Sequence, residues 1–459
     1  MTARLNRRSL LSRAAALGAS TAVLGTVDSL FAGHAAAAEI ARDGGYGPLL
    51  PDPDGLLDLR RGFRYTVISR EGEPLLSGEG PVPGRHDGMA AFPGGPNTFL
   101  VRNHENRMDT PHPVPAIPEL TYDPAAKGGC TAMRLTRSHQ LVAEEVAIAG
   151  TAVNCAGGPT PWNTWLTCEE AEEKAGEGGY TRDHGFVFEV DPYDMARNRD
   201  PHPLTAMGRF QHEAVAIDPR TGIVYETEDA FERPFGLYYR FLPNKPKGGH
   251  GSLRAGGALE AMRVPGVPDL SVVQEPGACF EGIEWVPVPD PLAAETPIRL
   301  QDFGKGGITH AQKLEGHYWG NGSVYFVSSF AQVEEGSAAE HNGQVWRYDP
   351  ERNALTLEVI FGPKIDPDLP GESPDNIALY PHGGLLVCED GEGAQHVFGV
   401  DRRGEVYALA RNRQNIGTEA EPAYGEFAGV TFSGDGRTLF VNVYNPGTTF
   451  AITGPWRKH

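Results

Sequence analysis

The residues best placed to do chemistry lie in Asn154-Cys155-Ala156-Gly157-Gly158-Pro159 and, just after it, Thr164-Trp165-Leu166-Thr167-Cys168-Glu169-Glu170. A thiol in a Gly/Pro turn is followed by two adjacent carboxylates at the end of a short apolar run. Such a turn lets backbone approach a ligand closely, and a strand end holds its side chains rigidly. Thiolates suit borderline or soft ions and carboxylates suit hard ones, so the stretch reads as a metal site. The competing reading is a buried Cys155 with a solvated Glu pair closing a strand.

The same donor types recur along the chain. Asp87 stands in Arg85-His86-Asp87-Gly88-Met89, and Asn103-His104-Glu105 ends another apolar run. Further on come Gln211-His212-Glu213-Ala214, Glu228-Asp229, Lys313-Leu314-Glu315-Gly316, Pro374-Asp375-Asn376 and Glu389-Asp390-Gly391. A single histidine such as His104 or His212 is more simply a structural residue. Taken together, the carboxylates and amides suit calcium, and a thiolate among them suits iron. The five cysteines (Cys130, Cys155, Cys168, Cys279 and Cys388) are an odd number without a CxxC pair, which argues against a zinc ribbon and leaves at least one thiol unpaired in a monomer.

The elements that must position these groups are short. Apolar runs ending in an acid or amide begin near Thr98, Thr164, Ile223, Ser323, Gly384 and Thr438, and between them lie strands ending in Asp191-Pro192 and Asp349-Pro350. Successive runs are about 68 residues apart, against roughly 40 to 50 for a compact four-stranded blade, so several loops are long. The 58 Gly and 38 Pro favour many short strands over long helices. The expected fold is an all-β, six-bladed β-propeller occupying residues 39–459, with the stretches at 242–252 and 265–268 irregular loops or a small insertion. A propeller brings strand ends from distant blades to one mouth of its channel, where crowded carboxylates are costly unless cations bind.

A formal net charge of -20 disfavours nucleic acid and anionic membranes as partners. Residues 1–38 read as an export signal: Asn6-Arg7-Arg8-Ser9-Leu10-Leu11 precedes an Ala-rich apolar run, with small residues for cleavage at Ala35 to Ala38. The paired arginines point to the twin-arginine export machinery and a periplasmic or extracellular destination. No later segment is long and apolar enough to span a membrane.

Tyr46-Gly47-Pro48-Leu49, Pro83 to Met89, Asn103-His104-Glu105, Asn154 to Gly158, Thr167 to Glu170, His212-Glu213, Thr227-Glu228-Asp229, Leu314-Glu315-Gly316, Pro374-Asp375-Asn376, Glu426-Phe427-Ala428-Gly429 and Gly454-Pro455-Trp456 follow one another in an order that resembles the PhoX-type alkaline phosphatases. The resemblance implies an exported phosphatase acting on small phosphate monoesters, with a mixed Fe(III) and Ca(2+) cluster at one end of the channel. It implies that Cys155 ligates iron and that Glu213, Glu315 and a carboxylate of Glu389-Asp390 hold the metals, with Glu105, Glu169 or Glu170, and Glu228 or Asp229 as further ligands. Period-2 alternation puts Glu169 and Glu170 on opposite faces of a strand, so one of the two is expected at the metal. Lys313 and Glu315 are the expected catalytic residues, and Lys313 and Asn154 the substrate-binding ones. Lys313 stands where the family often has Arg, and it offers a point charge in place of a bidentate fork.

The expected reaction is metal-assisted in-line hydrolysis, a metal-bound oxygen attacking phosphorus. Two other readings keep the propeller: a calcium-dependent hydrolase of different specificity, such as a lactonase or phosphodiesterase, and a non-enzymatic, calcium-stabilised binding protein.

Overall fold

The computed structural model describes residues 46–456 except 365, 367 and 382, so the signal read at residues 1–38 lies outside the described residues. Six antiparallel sheets make up the architecture, and the only helices among the described residues are short 3-10 turns. Their innermost strands are His86–Gly94, Asn154–Pro159, His212–Ile217, Leu314–Gly320, Pro374–Leu379 and Phe427–Phe432. Each packs against the innermost strands of both neighbours, and the last returns to the first, which closes a ring of six blades. The chain is a six-bladed β-propeller.

The short apolar runs are the second strands of the blades: Asn97–His104, Trp165–Glu169, Val224–Glu228, Ser323–Ser328, Leu385–Glu389 and Thr438–Val443. They are rich in β-branched and aromatic residues and almost wholly buried, as strands covered on both faces must be. Ring closure is shared between the chain ends. Arg64–Arg70 forms the outer strand of the sixth blade by pairing with Thr448–Thr453, and Leu57–Arg60 adds to Val406–Asn412 of the fifth. The residues between and after the two irregular stretches extend two blades. Gly257–Arg263 and Glu284–Pro287 are outer strands of the third, and Cys279–Glu281 is the outer strand of the fourth.

The core lies between blades. Trp346, Phe326 and Tyr238 fill the space between the third and fourth, while Leu439, Phe450 and Leu409 do so between the fifth and sixth. Trp165 is buried between the first two blades, and its indole N–H donates to Asn103 Oδ1 at 2.9 Å.

Candidate metal centre

Every innermost strand breaks register near its start. In five blades the two residues bulged out of the ladder begin with Asp87, Cys155, Glu213, Glu315 and Asp375, which are topologically equivalent positions. A bulge re-aims a side chain that a regular strand would bury in the blade. In four of these blades the residue two places earlier is left-handed: Arg85 at φ 52°, Val153 at 48°, Lys313 at 49° and Ser373 at 40°. Such backbone is costly for a residue with a Cβ, most of all for β-branched Val153. The turn it makes sets the direction of the donor that follows.

Neighbouring blades hold the bulges in place through their main-chain carbonyls. Asn103 of the first blade donates through Nδ2 to Cys155 O at 3.1 Å and Ala156 O at 2.7 Å. Thr227 of the third donates to Glu315 O at 2.9 Å, and Asn442 of the sixth donates to Asp87 O at 2.5 Å. Small residues beside the donors permit the approach. A Cβ on Gly88 would stand 2.6 Å from Ala156 Cα, and one on Gly316 would stand 2.4 Å from Asp375 O.

Together these strands build a cavity of about 240 Å³ lined, among the described residues, by nine carboxyl groups, the Cys155 thiol and two cations, Arg107 and Lys313. Two donor sets lie within it, Cys155–Glu170–Glu213 and Glu213–Glu315–Asp375, and the ligand atoms of each set fall within 4.8 Å of one another. Glu213 belongs to both. One set includes sulfur and the other is all oxygen, so a borderline transition ion and a hard ion each find matching donors.

The electrostatics show what the cavity lacks. Burial, then the charges of Glu315 and Asp375, pushes the Glu213 carboxyl well above the ordinary range. Burial and the neighbouring carboxylates do the same to Asp87, Asp229, Asp375 and Glu426, and raise Glu170 to about 8. The Cys155 thiol is raised by burial and by Glu213. Asp229 Oδ1 is buried without a hydrogen-bond partner. Burial opposes the charge on Lys313, yet Glu315, Asp229 and Asp390 hold its ammonium well above the usual lysine range. Its Nζ bonds Glu315 and lies 3.4 Å from Asp390 Oδ2. Arg107, more exposed, reaches Glu105 Oε1 at 2.7 Å and Glu170 Oε2 at 3.8 Å. Two cations cannot neutralise nine carboxyls, and the donor sets fit the iron and calcium expected for them.

The structure sorts the sequence candidates by the alternation of the second strands. Glu105, Glu170, Asp229 and Asp390 open on the cavity together with Cys155, Glu213, Lys313 and Glu315. The residue before each of the four faces away. Glu169 accepts from the backbone of Ala152, Gly185 and Phe186 and contacts His184 Nδ1 at 2.7 Å. Glu228 accepts from Tyr239 Oη at 2.6 Å and pairs with Arg299 at 3.2 Å. Glu389 is held by Lys364 at 2.9 Å and by His396 at 2.8 Å. These three acids, expected as alternative ligands, instead fasten strand ends to neighbouring segments.

Asn154, expected to bind substrate, is likewise turned inward: Oδ1 accepts from Thr151 and Nδ2 donates to Thr167. His104 bonds Gly84 O and Thr131, a structural residue as the plainer reading has it. All five cysteines are free thiols. Sequence reasoning singled out Asp87 and Asp375 as donors but did not carry them into the ligand set, and it passed over Arg107, Phe231 and Tyr444. The signal for the two aspartates was their place at the start of an innermost strand, the place Cys155, Glu213 and Glu315 also occupy. Arg107, Phe231 and Tyr444 belong to loops and carry no spacing signal.

The chain matches the alkaline phosphatase PhoX family over residues 44–145 and 138–447. Among solved structures it is similar to Pseudomonas fluorescens PhoX in complex with vanadate, a transition state analogue, with 19% identity, 89% of this chain and 97% of that chain covered, and a TM-score of 0.66. A gluconolactonase from Xanthomonas campestris (12% identity, 89% and 98% covered) and a pyranose dehydrogenase PQQ domain from Coprinopsis cinerea (13%, 88% and 98%) follow at TM-scores of 0.45 and 0.44, too distant to bear on the chemistry. No curated protein matches the sequence.

Proposed function

The chain belongs to the PhoX family of alkaline phosphatases and is a phosphoric monoester hydrolase, and from that premise we propose that it is an exported enzyme whose cavity carries iron at Cys155 and calcium among the carboxylates. The observation that carries the metal assignment is the pair of donor sets sharing Glu213, one with sulfur and one without. In this reading Cys155, Glu170 and Glu213 hold iron, while Glu315, Asp375 and the remaining cavity carboxylates, Asp87, Glu105, Asp229 and Asp390 among them, hold calcium. The bound ions would supply positive charge and Lewis acidity to the reacting phosphoryl group.

The chain's own contribution is charge and position. A phosphate monoester is an anion and would be repelled by nine carboxyls, so productive binding requires the cavity to be overcompensated by cations. Exposed Arg107 gives an arriving ester its first positive contact. Lys313 lies deeper, and because Glu315 and Asp390 keep it charged, its Nζ can donate to phosphoryl oxygens as negative charge builds on them. With three donors on a flexible stem, it neutralises these oxygens without dictating their plane. Residues 1–38 act as the twin-arginine signal in this reading, which lets the protein fold and take up metal before export. Among the described residues no helix is long and apolar enough to cross a membrane.

The test is elemental analysis, a visible spectrum and a phosphatase assay on protein purified after native export, comparing wild type with Cys155→Ala. Iron and calcium should both be present in the wild type, and the substitution should abolish a thiolate-to-iron absorption band and the activity while leaving some calcium. Calcium alone, at a content the substitution does not change, would sink the iron assignment.

A further inference from the structure

A phosphate ester has an organic half as well as a phosphoryl half, and the cavity is built unevenly for the two. Phe231 is the one wholly hydrocarbon side chain among the described residues lining it. It is 47% exposed, whereas Asp229, two residues earlier on the same turn, is 2% exposed. The loop between Val224–Glu228 and Gly236–Pro243 therefore sends an acid to the floor of the cavity and a benzene ring to its open side. The ring centroid lies 5.4 Å from Lys313 Nζ, within the range of a cation–π contact. Phe231 thus adjoins the ammonium that meets phosphoryl oxygens, at the side of the cavity from which the rest of an ester must project. A half-exposed ring gains from being covered by apolar surface, and aromatic groups cover it best.

We propose that Phe231 is the leaving-group contact of the enzyme, selecting esters of aromatic or bulky apolar alcohols over those of small alcohols. The proposal rests on the phosphatase reading. Because the contact persists from bound substrate to transition state, it acts on KM more than on kcat.

The experiment measures kcat and KM for benzyl phosphate and ethyl phosphate, whose alcohols are of similar basicity as leaving groups, on metal-loaded wild type, Phe231→Ala and Phe231→Tyr. Wild type should prefer the benzyl ester. Phe231→Ala should cut the benzyl-to-ethyl ratio of kcat/KM by roughly tenfold, mainly by raising KM for the benzyl ester, and Phe231→Tyr should hold the ratio within about twofold. If both esters are hydrolysed and Phe231→Ala leaves their ratio unchanged, the leaving-group assignment fails while the phosphatase reading stands. Hydrolysis of neither ester by loaded wild type overturns both.

Discussion

Removing the metals by chelation should make the protein's stability fall as pH rises, and Glu170 allows the size of the effect to be worked out. Its carboxyl titrates near 4.5 in the unfolded chain and near 8 in the folded one, because it is buried and faces Glu105 and Glu315. Between those pH values the folded state holds a proton that the unfolded state has lost, so each pH unit costs about 1.4 kcal/mol of stability. The window to compare is pH 6.5 to 8. The buried histidines His212, His317 and His341, held near 3 by burial, are neutral in the folded protein but lose their unfolded-state protons around pH 6.5. That slope has the opposite sign, is the same in chelated and loaded protein, and cancels in their difference.

Across that window Glu170 alone removes about 2 kcal/mol, which for about 400 ordered residues lowers Tm by roughly 2 to 3 °C. Asp87, Glu213, Asp229, Asp375 and Glu426 are raised in the same sense and steepen the fall. Thermal unfolding followed by circular dichroism, on chelated and metal-loaded protein from pH 6.5 to 8.5, measures it. Chelated protein should lose Tm relative to loaded protein as pH rises, and Glu170→Gln should remove about 2 kcal/mol of that loss. A difference between chelated and loaded protein that is flat or grows smaller with pH would refute the reasoning.

Two further substitutions test how the chain divides its labour. Glu169→Gln should lower stability by about 2 to 4 kcal/mol, because it unpairs buried His184 and weakens three backbone contacts, and it should leave iron and calcium content unchanged; Glu170→Gln should do the reverse, as denaturant titration and elemental analysis of the two variants will read. Lys313→Met should lower kcat/KM by about a hundredfold, whereas Lys313→Arg should keep most of the activity, and steady-state assays at one pH check both.

The second strands of the propeller were legible because their β-branched and aromatic runs recur six times, five of them stopping at an acid or amide. The choice within each acidic pair was only half legible. Alternation says that adjacent residues face opposite ways, but which one faces the channel depends on the strand's rotation in its sheet, and nothing local fixes that. Here the second residue, Glu105, Glu170, Asp229 or Asp390, faces the cavity in each of the four blades. The first is His104 or a glutamate, turned toward the loops and neighbouring strands. Asn154 misled for a related reason. It sits beside the thiol in sequence, but the register break that turns Cys155 into the channel leaves Asn154 paired opposite Glu169 within the blade. The outer strands between 257 and 287 were hidden because Gly and Pro at their ends resemble loop chemistry.

The sixth blade shows what happens where a bulge cannot carry a donor. Its innermost strand bulges at Gly429 and Val430 and offers no donor there. Gly429 has φ +64°, and a Cβ on it would stand 2.5 Å from Asp87 O and 2.8 Å from Asn442 Nδ2. A carboxylate at that position would push the first and sixth blades apart where the ring closes. The acid comes instead from Glu426, just before the strand, and it faces Asp390. The other five bulges keep their donors, and four of them bear a cost in backbone, about 1 to 2 kcal/mol for each left-handed residue with a Cβ. Val153 would ordinarily be excluded from such a conformation. It is kept there by the clamp of Asn103 on the carbonyls that follow, and the same clamp aims the Cys155 thiol at Glu213.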